Sequence, residues 1–190
     1  MLSTFDLKSI SNAANAFKQG GIIAYPTEAV FGLGCDPRND ASLIKLLNLK
    51  QRSPDKGLIL LAGDYNQIRE FIDEQAIESE KLAQIKACWP AAITQIMPAK
   101  KNISPLLTGG RNTIAVRVTT HPEVIALCEQ TQQAIVSTSA NFSGQITAKT
   151  WQQVEQEFGD KIDYLLKGET LGLAQPSKII DAVSGKVLRS

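Results

Sequence analysis

The chain has 190 residues, of which 43% are hydrophobic, and a formal net charge of +1. That length suits one ordinary globular core, that composition argues against a disordered chain, and so small a net charge promises no bulk attraction to phosphate. One histidine and three scattered cysteines (Cys35, Cys88, Cys128) leave no basis for a multi-histidine or Cys-x-x-Cys zinc site, and the thiols read as reduced, as in a cytoplasmic protein.

From the N-terminus, Met1-Leu2-Ser3-Thr4-Phe5-Asp6 lacks the basic start and apolar run of a secretory leader, and nothing in the chain approaches membrane-spanning length. Leu7, Ile10, Ala14 and Phe17 fall at helical spacing after a capping Asp6, and Gly20-Gly21 stops the pattern. Ile22 to Tyr25 reads as a buried strand ended by Pro26. Asp40 is placed to cap a helix that turns Leu43, Leu46 and Leu47 inward. Gly57 to Ala62 reads as a second apolar strand, and helices are expected at Ile68–Ile72 and Leu82–Cys88, the latter ended by Pro90. Strands at Ile93–Met97, Ile114–Val118 and Ile135–Ser137 follow, with a helix near Glu123–Glu129. The amphipathic Trp151–Phe158 and strands at Ile162–Leu166 and Ile179–Val183 close the pattern. Alternating strands and helices, some strands too close in sequence for a crossover helix, predict a single α/β domain over 1–190. Its twisted, mixed parallel and antiparallel sheet would carry flanking helices and a concave basic cleft.

The charge is unevenly spread. Between Arg38 and Lys56 five basic residues face two acids, and between Lys100 and His121 four basic residues face none. Such runs are ordinarily solvated faces, but they can also line a cationic cleft.

Four polar segments stand at strand ends. Tyr25-Pro26-Thr27-Glu28-Ala29-Val30-Phe31-Gly32-Leu33-Gly34 reads as a strand entering a glycine-containing loop; it is neither a Walker loop nor a G-x-G-x-x-G turn. Lys50-Gln51-Arg52-Ser53-Pro54-Asp55-Lys56-Gly57 sets three cations in a stiffened loop, which suits a polyanion such as a triphosphate or equally a solvated turn. In Thr113-Ile114-Ala115-Val116-Arg117-Val118, Arg117 shares a strand face with Thr113 and Ala115. A buried arginine there needs an anionic partner, either an internal acid or a substrate carboxylate. Ser137-Thr138-Ser139-Ala140-Asn141-Phe142-Ser143-Gly144 follows a strand and can wrap an anion or form a turn. A serine hydrolase is disfavoured: G-x-S-x-G is absent, and His121 before Pro122 reads as a helix-start residue.

These segments, together with W-P-x-x-x-T and P-S-x-I-x-D, occur in an order that resembles the YrdC/TsaC family of threonylcarbamoyl-AMP synthases, with matches from Tyr25 to Asp181. The resemblance implies that L-threonine and bicarbonate form N-carboxy-threonine, whose carboxylate attacks the α-phosphorus of ATP and releases pyrophosphate. It further implies that a transferase complex takes the product to the adenosine beside the anticodon of tRNA. Lys50 and Arg52 would be the catalytic cations. ATP would be held by Lys50, Arg52, Lys56, Thr113, Ser139, Asn141 and Thr147, with Mg²⁺ on the pyrophosphate and no metal held by the protein itself. Threonine would be held by Thr27, Arg117, Ser137 and Ser177. The chain departs from the family pattern at Ala29 (often Thr) and Leu61 (often His), both expected at the amino-acid pocket, at Ala91-Ala92 (usually Gly-Pro) and at Lys178 (often Thr).

Two other readings remain at this stage. One is a non-catalytic RNA-binding protein using the same basic surface on tRNA or ribosomal RNA, although no arginine-rich stretch or aromatic stacking motif is present. The other is a carbamoyl-transfer domain, which normally sits in a longer chain with acylphosphatase and zinc-finger modules.

Overall fold

The computed structural model describes residues 6–190; Met1–Phe5, part of the stretch read above as lacking a leader pattern, lie outside the described residues. Helix α1 (Leu7–Lys18) starts where expected: the Asp6 carboxylate accepts hydrogen bonds from the Lys8 amide (3.0 Å) and the Ser9 hydroxyl (2.7 Å). Its Ile10, Ala13, Ala14 and Phe17 are buried.

Strands β1 (Ile23–Pro26) and β2 (Phe31–Gly34) form an antiparallel hairpin in which Tyr25 faces Gly32. The expected glycine loop is thus a strand, and its glycines serve close packing between strands. A Cβ at Gly34 would lie 2.2 Å from the Val136 carbonyl oxygen and 2.9 Å from the Tyr25 ring. Helix α2 (Asp40–Leu49) is capped by Asn39, not Asp40: the Asn39 side chain accepts from the Ser42 amide, which leaves Asp40 in the first turn.

The remaining elements are β3 (Ile59–Ala62), α3 (Asn66–Arg69), α4 (Ser79–Ala87), β4 (Ile93–Pro98), α5 (Pro105–Thr108), β5 (Thr113–Val118), α6 (Pro122–Thr131), β6 (Ile135–Ser139), α7 (Trp151–Phe158), β7 (Tyr164–Leu165), β8 (Lys178–Asp181) and β9 (Val187–Arg189). His121 is the N-cap residue of α6. Among the described residues no helix is long and apolar enough to cross a membrane.

Among the described residues nine strands make one mixed sheet in the order β7-β1-β2-β6-β3-β5-β4-β8-β9. Pairs β1–β7, β3–β5 and β4–β8 are parallel and the others antiparallel. Both faces are covered, and β3 shows this within four residues. Leu60 and Ala62 enter a core with Leu43 and Leu46 of α2 and Phe158 of α7. Leu61 enters a second core with Phe17 of α1 and Leu127 of α6. Side chains that alternate across a strand reach opposite layers, so a continuous apolar run is what a doubly covered sheet requires.

Candidate active site

One cavity gathers the polar segments. Its wall includes Thr27 from the β1–β2 turn, Arg52 from the loop before β3, Arg117 from β5, Ser137 and Ser139 from β6, Thr147 from the following loop, and Ser177 just before β8. The chain therefore brings together seven of the eleven residues expected for the two ligands. Gly32 also lines the cavity, and a Cβ there would come within 3.4 Å of the Ser137 hydroxyl, so its bare backbone keeps that hydroxyl clear.

Arg117 is buried and faces an internal acid. Its Nη2 lies 3.3 Å from Oε2 of Glu28, with side-chain exposures of 9% and 2% respectively. The other oxygen of Glu28 accepts hydrogen bonds from the Thr119 hydroxyl (2.6 Å) and the Thr120 amide (3.2 Å). Burial alone would raise the Glu28 carboxyl, but the guanidinium of Arg117 and the Thr119 hydroxyl outweigh it and hold the group below its ordinary value, ionised at neutral pH. Of the two partners the sequence left open for Arg117, the internal acid is present, and the arginine remains in the cavity wall.

Lys50 follows the last residue of α2 and is also buried, but outside the cavity wall. Its ammonium donates to the carbonyl oxygen of Ser139, to that of Asn141 (2.6 Å) and to Oδ1 of Asn141 (3.4 Å). The Ser139 hydroxyl donates to the same Oδ1 at 2.6 Å, and the Asn141 amide nitrogen donates to the Gln145 carbonyl at 2.7 Å. Burial and the neighbouring charge of Arg52 bring the lysine down to about 8, partly offset by Glu157. The cation thus ties the serine-rich turn to the end of α2.

Arg52 projects into the cavity from the same loop. Its Nη2 donates to the Gly57 carbonyl (3.0 Å), whereas Nε is buried without a partner. The loop is clamped from outside by Arg111, which donates to the Asp55 carbonyl at 2.8 Å. Gly109 makes room for the clamp: φ is +65°, and a Cβ would fall 2.4 Å from the Asp55 carbonyl oxygen.

Lys56, Thr113 and Asn141 stand outside the cavity wall with Lys50. Lys56 is exposed at the end of a 3₁₀ turn (Pro54–Lys56), and Thr113 opens β5 four residues before Arg117. Ala29 lines the cavity, whereas Leu61 does not: it points into the core beneath α1 and α6, and Ile59, on the same face of β3, lines the cavity instead.

Sequence reasoning missed Arg189 and Gln175 in the wall and gave Glu28 no role. Arg189 lies on β9 and donates to the Ser177 carbonyl through Nε (3.1 Å) and Nη2 (2.7 Å), and to the Ser177 hydroxyl (3.2 Å). That hydroxyl is also 2.8 Å from the Thr94 hydroxyl. An irregular segment over residues 166–177 runs along the cavity, where the Leu171 amide donates to the Thr27 carbonyl (3.3 Å) and the Leu173 amide to the Glu28 carbonyl (3.0 Å). A wall of three guanidiniums, one carboxylate and several hydroxyls is chemically suited to a ligand rich in anionic oxygen.

Residues 15–190 match the Sua5/YciO/YrdC family, whose description reads "Telomere recombination". The chain is 50% identical over 177 residues to a protein named threonylcarbamoyl-AMP synthase from Idiomarina loihiensis, covering 93% of this chain and 95% of that one. It is 46% identical to a protein of the same name from Vibrio parahaemolyticus, covering 96% and 99%. Among solved structures it resembles P. abyssi Sua5 complexed with L-threonine, with a TM-score of 0.84 and 29% identity over 93% of this chain and 51% of that one. The chain therefore spans about half of that Sua5 chain. E. coli YciO shares the fold, with a TM-score of 0.84 and 22% identity over 97% of this chain and 90% of that one.

Proposed function

The chain belongs to the Sua5/YciO/YrdC family, and from that membership we propose that it makes threonylcarbamoyl-AMP and pyrophosphate from ATP, L-threonine and bicarbonate. The product would pass to a transferase complex that modifies the adenosine beside the tRNA anticodon. On this reading residues 1–190 form one catalytic domain working in the cytoplasm. The observation that carries it is the single cavity joining Arg52, Ser139 and Thr147 to Arg117, Thr27, Ser137 and Ser177.

The reaction needs no protein nucleophile. N-carboxy-threonine supplies the attacking carboxylate oxygen, a bond forms to the α-phosphorus, and the bond to the pyrophosphate oxygen breaks. The protein's part is to align the two substrates and stabilise the charge that shifts onto the leaving group. Arg52 offers its fork to the phosphates. Ser139 and Thr147 hold the nucleotide, joined by Lys56, Thr113 and Asn141 from around the cavity, and Lys50 lends its charge while fixing the Ser139–Asn141 turn. Arg117 takes the carboxylate of threonine, with Thr27, Ser137 and Ser177 around the amino acid. Mg²⁺ enters as part of the substrate on the triphosphate. The one acid in the wall, Glu28, is engaged by Arg117, Thr119 and Thr120, so the wall holds no free carboxylate for a metal.

Incubation with ATP, L-threonine, bicarbonate and Mg²⁺ is expected to release pyrophosphate and yield the adenylated product; ATP consumption that ignores threonine sinks the proposal. A pH effect follows from Lys50. Its folded value near 8 lies below the ordinary 10.5, so burying the ammonium costs stability below about pH 8, and that cost fades as pH rises toward 10.5. Activity runs the other way, because the charged form is the one the phosphates need. The ratio kcat/KM, which reports the free enzyme, is expected to fall above an apparent pKa near 8, and in Lys50→Arg, whose side chain stays charged, that alkaline limb should disappear. An unchanged limb in the variant would assign it to another group.

A further inference from the structure

Arg117 and Glu28 present an asymmetry. The carboxylate is anchored at one end only: Oε1 holds the Thr119 hydroxyl and the Thr120 amide, whereas Oε2 is buried, makes no hydrogen bond and lies 3.3 Å from Arg117 Nη2. Arg117 Nε is likewise buried without a partner. Glu28 therefore stands behind the arginine as a fixed anion, steered by Thr119 and Thr120 two and three residues beyond it in the chain. Its own carbonyl is tied to Leu173.

We infer that Glu28 is a positioning residue for amino-acid recognition: it holds the Arg117 guanidinium at the orientation in which the arginine meets the substrate carboxylate from the cavity wall. This rests on the proposed reading of Arg117 as the carboxylate contact. The Glu28 oxygen facing Arg117 has no accessible surface, so that oxygen acts on the substrate only through the arginine. Glutamine cannot replace it without conflict. One orientation of the amide sets an N–H against Nη2 of Arg117, and the other sets it against the Thr120 N–H.

The test measures equilibrium binding by calorimetry of L-threonine and of L-threoninol, the alcohol analogue lacking the carboxylate, to wild-type protein and Glu28→Gln. Threonine is expected to bind at least tenfold more weakly to the variant, with threoninol and ATP affinities changed less than twofold. Equal losses for threonine and threoninol would assign Glu28 a general structural role, and undiminished threonine binding would remove it from recognition; either overturns the inference. So does a wild type that binds both compounds equally. If Glu28→Gln does not fold, Glu28→Gln/Arg117→Met removes both charges of this buried pair and strands neither. That pair should bind threonine no better than threoninol, and a retained preference for threonine again overturns the inference. Wild-type protein that prefers threonine yet releases no pyrophosphate sinks the synthase reading and leaves the assignment of Glu28 intact.

Discussion

Replacing Arg52 with alanine is expected to lower the rate of threonine-dependent pyrophosphate release by a factor of about 10²–10³, the range seen when one preorganised charge-stabilising donor is removed. The fold should survive. Arg52 sits in a loop between α2 and β3, its one side-chain hydrogen bond goes to the Gly57 carbonyl, and its Nε has no partner to strand. Loss of that bond costs about 1 kcal/mol, so the melting temperature should drop by only about 2–4 °C. Arg52→Lys separates charge from geometry: the cation stays and the planar fork goes. Partial activity in Lys with almost none in Ala would assign both contributions. A variant that unfolds would make Arg52 structural and remove it from the catalytic set.

Arg117→Met should behave in the opposite way and fail first in stability. The substitution leaves Glu28, 2% exposed, facing an apolar side chain without its counter-charge. Breaking a buried pair from one side costs about 3–5 kcal/mol. The hydrogen bonds that Glu28 keeps with Thr119 and Thr120 favour the lower end. A loss of about 3 kcal/mol corresponds to a melting temperature lowered by about 6–12 °C. Adding Glu28→Gln should return most of that stability, because the anion that had lost its partner is gone, but should return no threonine turnover. A single Arg117→Met variant as stable as the parent would show that the pair carries no net attraction.

The two arginines also mark how far the residues could be read without coordinates. Arg52, Ser137 and Ser139 stand in polar stretches at strand ends, where packing gives no reason for them, so they were legible as ligand candidates; Ser177 came only with the family resemblance. Arg117 was legible as a buried cation in want of an anion, but the anion was not: Glu28 is remote in sequence, and only the pairing of β3 between β6 and β5 brings their neighbourhoods together. Strand β2 was hidden because Gly32 and Gly34 look like a turn until the Tyr25 ring is set against them. Helix α5 and strand β9, four and three residues long, are too short to show a period. With β9 unseen, Arg189 had no reason to be drawn into the wall. The run of cations makes Lys50 look like an open phosphate ligand, because it says nothing about the carbonyl oxygens that close around its ammonium.

The segment over residues 166–177 hangs from the backbone carbonyls of Thr27 and Glu28, and those two residues also line the cavity. Amide-to-carbonyl links of this kind do not depend on side-chain identity, so substitutions at Leu171 or Leu173 leave the tether in place, with one exception. Proline at either position removes the donor itself. Sequence drift at Leu171 and Leu173 is therefore cheap except for that one imino acid, and evolution can vary these two side chains while the backbone beside the inner wall stays registered.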